Sequence, residues 1–268
     1  MRRLIVNCDD FGSCLAANDA VEAALERGIA TSATLMVPCP WAYDAALRAR
    51  AHPNWAVGVH LTLTSEWARL RWRPVAGAAA VPGLADPDGF LWRHTPDVHA
   101  HARPEEAWEE CRAQIEQFFT WGLAPTHLDS HMGTLQTHPA FFAVYLDLAT
   151  HYNLPVRMAG PREMALLGWG EARAGAAARG VRFADDLILP ERRAPGEDTR
   201  AFLLRTVREL PAGTGEVFFH PAADTPELHA MTNGGAERVA DLRLLTADPE
   251  VRGAITATGV ALVSYRDI

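Results

Sequence analysis

Lysine is missing altogether: the 25 basic residues of this 268-residue chain are all arginine. With abundant alanine and proline, that reads as genomic base composition or a thermophilic source and says nothing about chemistry. Basic stripes are missing too. The net charge is −8, so a nucleic-acid surface is excluded as a working idea. Cysteine is scarce. Cys8, Cys14, Cys39 and Cys111 show neither CxxC metal spacing nor the density of a disulfide scaffold, and are expected to be reduced, buried thiols. No apolar run approaches the ~18 residues of a membrane span, which excludes a membrane partner. An apolar run already begins at Leu4, so no leader is expected and cytoplasm is the expected location. No G-x-G-x-x-G follows the first strand and no Walker motif occurs, which argues against nucleotide binding. Ser130 lies in no G-x-S-x-G elbow, and no cysteine carries a local nucleophile signature.

What is there alternates between strand and helix. The run Leu-Ile-Val-Asn-Cys-Asp-Asp-Phe-Gly at 4–12 is apolar enough for a buried parallel strand and ends in two carboxylates. Gly12 permits a turn, and Ser13 is the expected cap of a helix over 14–27 closed by Gly28. Strands are expected at 30–37, 56–63, 125–130, 154–159, 181–184, 216–220 and 260–265. Helices are expected at 41–51, 104–122, 138–152, 199–210, 235–247 and 248–257, with one or two short ones in 160–180. Such alternation predicts parallel pairing with right-handed crossovers. The expected fold class is α/β: one distorted or incomplete (β/α) TIM-like barrel, a single domain over 1–268. An irregular insertion at 64–103, rich in tryptophan, proline and histidine, reads as a lid or wall beside the site, or as packing over the barrel rim.

Several strand ends carry metal-type cargo. The first ends in Asp9-Asp10, the third carries His60, the strand at 125–130 runs through His127 and Asp129 into His131, and the strand at 216–220 delivers His220. Parallel barrel strands bring such ends to one face. The two-by-two spacing of His127, Asp129 and His131 points all three the same way in an extended strand. One carboxylate and two imidazoles are a common divalent-cation set, and Asp10, His60 and His131 are the best choice. Asp9 then stays free as a general base, and Asp129 could orient a histidine. Each residue also has a structural reading. His60 could be a core histidine, the aspartates could cap the next helix, His127 could be a hydrogen-bonded core residue, and His220-Pro221 could merely end a strand. Glu66 and Trp67 could line a pocket or pack. Arg157 could bind a substrate hydroxyl or carboxylate, or pair with a structural acid. Donor softness suits zinc, manganese or iron. His94, His99 and His101 read as solvated loop residues.

These blocks resemble the YdjC-like carbohydrate deacetylases, which include diacetylchitooligosaccharide deacetylases. The matching stretches are LIVNCDDFG (4–12), against a family I-x-N-A-D-D-F-G, then GIATS (28–32), GVHLTLT (58–64), PTHLDSH (125–131), FHP (219–221) and SYRDI (264–268). They span nearly the whole chain in the family order. The resemblance implies a distorted (β/α) barrel and one divalent ion, often magnesium, on Asp10, His60 and His131. It also implies Asp9 as base and His220 as acid. In one departure, Met132, Gly133 and Thr134 stand where relatives carry further histidines after D-S-H. The expected activity is metal-dependent hydrolysis of the acetamide of an N-acetylated sugar or oligosaccharide, with aromatic residues of the insertion stacking on sugar faces. The alternatives are hydrolysis of another amide or ester, or a catalytically eroded carbohydrate-binding protein. A small carbohydrate is the expected partner, and a homodimer is left open.

Overall fold

Strand β1 (Arg2–Phe11) is buried from Leu4 onward, as a central parallel strand covered on both faces should be. A computed structural model describes residues 1–268. Around β1 stand β2 (Ser32–Leu35), β3 (Val57–Leu61), β4 (Leu128–Ser130), β5 (Asp186–Leu187), β6 (Gly213–Phe219) and β7 (Ala261–Leu262). The ladder runs β4-β3-β2-β1-β6-β5, parallel throughout, and β7 joins the first half of β1. This is a six-strand half-barrel sheet surrounded by helices. The helices are α1 (Leu15–Arg27), α2 (Ala42–Ala51), α3 (Thr95–His101), α4 (Pro104–Thr120), α5 (Pro139–Tyr152), α6 (Pro161–Leu166), α7 (Ala172–Ala178), α8 (Thr199–Glu209), α9 (Pro226–Met231), α10 (Gly235–Ala247) and α11 (Pro249–Thr258). None is long and apolar enough to cross a membrane. One apolar cluster of 58 buried residues fills the space between sheet and helices.

The expected strands are not all ladders. The segment at 154–159 makes only a parallel bridge from Val156 to Leu128, because Pro155 has no N–H to donate and Val156 turns its own N–H to Arg182. No strand forms at 181–184, and β5 follows it instead. The strand expected at 260–265 shrinks to two residues before a 3-10 turn at Tyr265–Asp267. Helix α9 was not expected. The cap of α1 is Cys14, whose Sγ accepts from Ala17 N, not Ser13.

The insertion is ordered. It contains a 3-10 turn (Pro82–Leu84) and α3, and it buries Trp72, Val81, Leu84, Leu91 and Val98. Its backbone, together with Thr62 just before it, is gripped by a polar stripe on α4 at i, i+4 and i+8. Glu110 accepts from Val75 N at 2.9 Å and Ala76 N at 2.8 Å, Glu106 accepts from Gly83 N at 2.8 Å, and Gln114 bonds both backbone groups of Thr62.

Candidate metal centre

Adjacent residues of a regular strand face opposite ways, so Asp9 and Asp10 should not share a site. They do, because β1 is irregular there. Its register against β2 shifts between Cys8 and Phe11, and Asp10 has φ 64°, a left-handed conformation that aspartate tolerates better than most residues. Both carboxylates therefore line the same cavity of about 720 Å³, together with His60, Glu66, Asp129, His131, Arg157 and His220.

The donor atoms converge closely. Asp10 Oδ1 lies 3.5 Å from His60 Nε2 and 3.4 Å from His131 Nδ1, and the two imidazole nitrogens are 3.2 Å apart. A cation held at roughly 2.1 Å from each atom produces separations of this size. Asp10 Oδ1 is buried without a hydrogen-bond partner, although buried carboxylate oxygens are normally satisfied. Five carboxylates (Asp9, Asp10, Glu66, Asp129, Glu216) face only two guanidinium groups (Arg157, Arg238) across this cluster. An orphaned oxygen, two imidazoles and surplus negative charge all fit a divalent cation.

Each donor is held from behind. Arg238 Nη2 donates to Asp10 Oδ2 at 2.7 Å, so one oxygen is tethered and the other points at the imidazoles. Asp129 Oδ2 stands 2.7 Å from His60 Nδ1, and Glu66 Oε2 stands 3.1 Å from His131 Nε2. Such outer carboxylates set the tautomer and orientation of ligating histidines. Burial raises the cost of ionising Asp10, but Arg238 and the two imidazoles outweigh it and hold its pKa well below the ordinary carboxylate range. Burial likewise disfavours charge on His60, yet Asp129 and Asp10 push its pKa up to about 9. Against the same burial, Glu66 and Asp10 push His131 up to about 10. A metal entering here displaces protons from both rings.

Asp9 is paired, not free. Arg157 grips it two-pronged, Nη1 to Oδ2 at 2.7 Å and Nη2 to Oδ1 at 2.8 Å, and Asn7 Nδ2 donates to Oδ1 at 2.8 Å. Arg157 also reaches Asp129 at 2.6 Å and Glu216 at 2.8 Å. His220 Nε2 lies 3.8 Å from Asp9 Oδ2, on a side chain that remains 37% exposed. The cavity thus brings together Asp9, Asp10, His60, Glu66, Asp129, His131, Arg157 and His220.

His127 and Trp67 lie outside its lining. His127 stacks on Tyr265 with ring centroids 3.7 Å apart, and burial brings its pKa down to about 3. His131 is no longer in the strand, because β4 stops at Ser130 and a 3-10 turn begins. The turn re-aims the ring, so strand alternation does not explain how His127, Asp129 and His131 are placed. Trp67 is buried with Arg238 over its ring at 5.5 Å, and Trp72 is buried against it. Trp92 stacks on His101. No tryptophan of the insertion reaches the cavity, and Glu66 is the insertion's only contribution, which overturns the expected aromatic platform.

Sequence reading missed Arg238, Asp241 and Glu216. Glu216 had a visible signal, a lone acid inside an apolar strand, where burial raises its pKa to about 7. Asp241 accepts from the His220 backbone N–H at 3.0 Å. Arg238 and Asp241 sit on α10 in an ordinary polar helix face and gave no signal.

A family model described as YdjC-like protein matches residues 3–257. A carbohydrate deacetylase of Geobacillus stearothermophilus is 34% identical over 269 residues, covering 99% of this chain and 98% of that protein. A carbohydrate deacetylase of Enterococcus faecalis is 31% identical over 272 residues, covering 100% of this chain and 98% of that one. Among solved structures, an Enterococcus faecalis protein named for cellobiose-phosphate cleavage superposes with TM-score 0.85 at 28% identity, covering 99% of this chain and 98% of that one. A lactam utilization protein of Thermus thermophilus, at TM-score 0.53 and 14% identity over 98% of this chain and 99% of that one, shares the fold. With a family model and relatives matched along nearly its whole length, the chain belongs to the YdjC-like protein family.

Proposed function

We propose that this chain is a metal-dependent carbohydrate deacetylase that hydrolyses the acetamide of an N-acetylated sugar, with residues 1–268 acting as one domain. The observation that carries the reading is the triangle of Asp10 Oδ1, His60 Nε2 and His131 Nδ1, 3.2–3.5 Å on a side, beside Asp9 and His220. The curated relatives named carbohydrate deacetylases support the substrate class. Asp10, His60 and His131 hold one divalent cation, magnesium by family resemblance or zinc by donor chemistry. When bound, that cation supplies Lewis acidity, acidifying water and polarising a carbonyl oxygen.

The remaining work falls to the chain. Asp9 accepts a proton from the attacking water as the water oxygen bonds to the acyl carbon. Arg157 and Asn7 hold both oxygens of Asp9, so the base is oriented before substrate arrives. His220 gives a proton to the amine nitrogen as the carbon–nitrogen bond breaks, releasing acetate and the free amino sugar. Asp129 and Glu66 keep the two ligand rings in place.

The test is acetate release from N-acetylglucosamine oligomers by purified protein, before and after chelation and metal add-back. Release that stops on chelation and returns with one metal supports the reading. Release that is indifferent to chelator sinks the metal role, and no release from any N-acetylated sugar sinks the deacetylase.

A further inference from the structure

The outer half of the cavity differs from its floor. The floor is charged and buried, whereas the more exposed part of the lining, the mouth, sets Met132, Leu166, Leu167 and Leu189 among the polar side chains of Arg162, Glu163, Glu191 and Arg192, with Leu187 buried behind them. Seven large apolar side chains of the chain are exposed, and three of them stand at this mouth: Leu166 at 78%, Met132 at 54% and Leu167 at 43%. Apolar groups gathered at one opening mark a binding surface, whereas scattered ones do not.

The wall is braced. Met164 anchors α6 in the core. Arg192, in the turn after β5, ties Glu163 of α6 to Asp186 of β5, with Nε to Glu163 Oε1 at 2.8 Å and Nη1 to Asp186 Oδ2 at 2.6 Å. Trp169 N closes the helix end onto Met164 O at 2.8 Å. The leucines are therefore held outward by a fixed scaffold. Met132 is held outward in a left-handed backbone at φ 55°. With the insertion's tryptophans placed elsewhere and the Phe218 ring of the cavity already faced by Arg157 at 4.8 Å, the exposed lining offers aliphatic side chains in place of a free flat ring on which a sugar face could stack.

We propose that this rim is a subsite for an aliphatic chain of several carbons, so that the natural substrate is an amphiphilic N-acylated sugar. The inference rests on the deacetylase reading for the sugar and the amide, but the subsite itself stands on the rim. The chain can come from either side of the amide, as a longer acyl group or as an alkyl aglycone, and two probe series separate these sources. One runs from N-acetyl- to N-octanoylglucosamine. The other runs from methyl to octyl glycosides of N-acetylglucosamine.

Dissociation constants by calorimetry are expected to tighten about threefold per added methylene over the first few carbons in one series, and to stay flat in the other. In the double variant Leu166→Ser/Leu167→Ser, and separately in Met132→Ser, the slope in that series is expected to fall by at least half. Both variants change exposed side chains, and thermal unfolding checks that they fold. Flat series in the wild type overturn the subsite, as does a slope that survives both variants. So does a sedimentation result in which the double variant splits a dimer while the slope stays put, because the rim is then a contact between copies. Acetate or fatty-acid release from the same compounds is scored separately. Chain-dependent binding without release keeps the subsite and sinks the deacetylase, and release without chain dependence does the reverse.

Discussion

Two buried polar clusters, one along α4 and one at the strand ends, are built on opposite principles. On α4, Glu106 and Glu110 meet backbone amides from the insertion, Gln114 bonds Thr62 just before it and also donates to Glu110, and the clasp is closed by hydrogen bonds. At the strand ends, Asp10, His60 and His131 aim donor atoms at one another across 3.2–3.5 Å and leave Asp10 Oδ1 without a partner. Burial is comparable in the two clusters, so burial alone does not mark function. A saturated buried carboxylate works as a fastener, whereas an unsaturated one facing imidazoles works as a socket.

The largest effect expected from breaking this contrast is at the socket. Asp10→Asn keeps the shape but removes the charge, and activity should fall by roughly 10³-fold or more together with metal affinity. A variant that binds metal at wild-type strength, measured by calorimetry, would refute the ligand assignment. At the clasp, Glu110→Ala strands the amides of Val75 and Ala76 and should destabilise the fold by about 3 kcal/mol. Denaturant unfolding should show that loss, while metal stoichiometry stays at its wild-type value. Lost stoichiometry would mean that the two clusters are not separate.

The pH dependence sharpens the contrast further. Burial raises Glu110 from its ordinary 4.5 to about 7, against the hydrogen bonds it accepts. An acid with a raised folded pKa stabilises fully below 4.5, and that contribution is lost as pH climbs to about 7. His60 and His131 are raised above 6.5, so in metal-free protein their contribution is whole below 6.5 and is lost as pH rises through about 9 and 10. Melting curves of chelated protein should therefore weaken in two windows. Metal loading should abolish only the upper decline, and Glu110→Gln should shrink only the lower one, to which Glu216, also raised to about 7 by burial, contributes the remainder. If either treatment changes both windows, the separation fails. The smallest effect is expected from Glu66→Gln, which keeps a contact to His131 but drops the charge. Metal affinity should weaken about tenfold, and an unchanged affinity would make Glu66 a substrate contact instead.

Legibility followed the range of the interaction. The apolar run at 4–8 announced β1, and α4, α5, α8, α10 and α11 appeared close to where helical period and capping residues put them. Short elements were harder. Pro155 and the two-residue strands carried too little pattern to separate a ladder from a bridge. At the site, residue types at strand ends pointed to Asp10, His60 and His131, whose donor atoms do converge. Spacing grouped His127 with Asp129 and His131, but the alternative reading of His127 as a hydrogen-bonded core residue is the one that holds, since it is buried against Tyr265 and bonded to Thr126. Arg238 was invisible for a different reason: its partner Asp10 is 228 residues away.

By itself the sequence determined which strands are apolar enough to be buried and which carboxylates and imidazoles stand at their ends, since both depend on a residue and its near neighbours. Tertiary structure alone decided that β1 bulges so that Asp9 and Asp10 face one cavity, that Arg157 takes Asp9 while Arg238 takes half of Asp10, and that leucines rather than tryptophans form the mouth. Those outcomes depend on the order and curvature of strands far apart in the chain, and charges pair by distance in space, which local pattern does not encode.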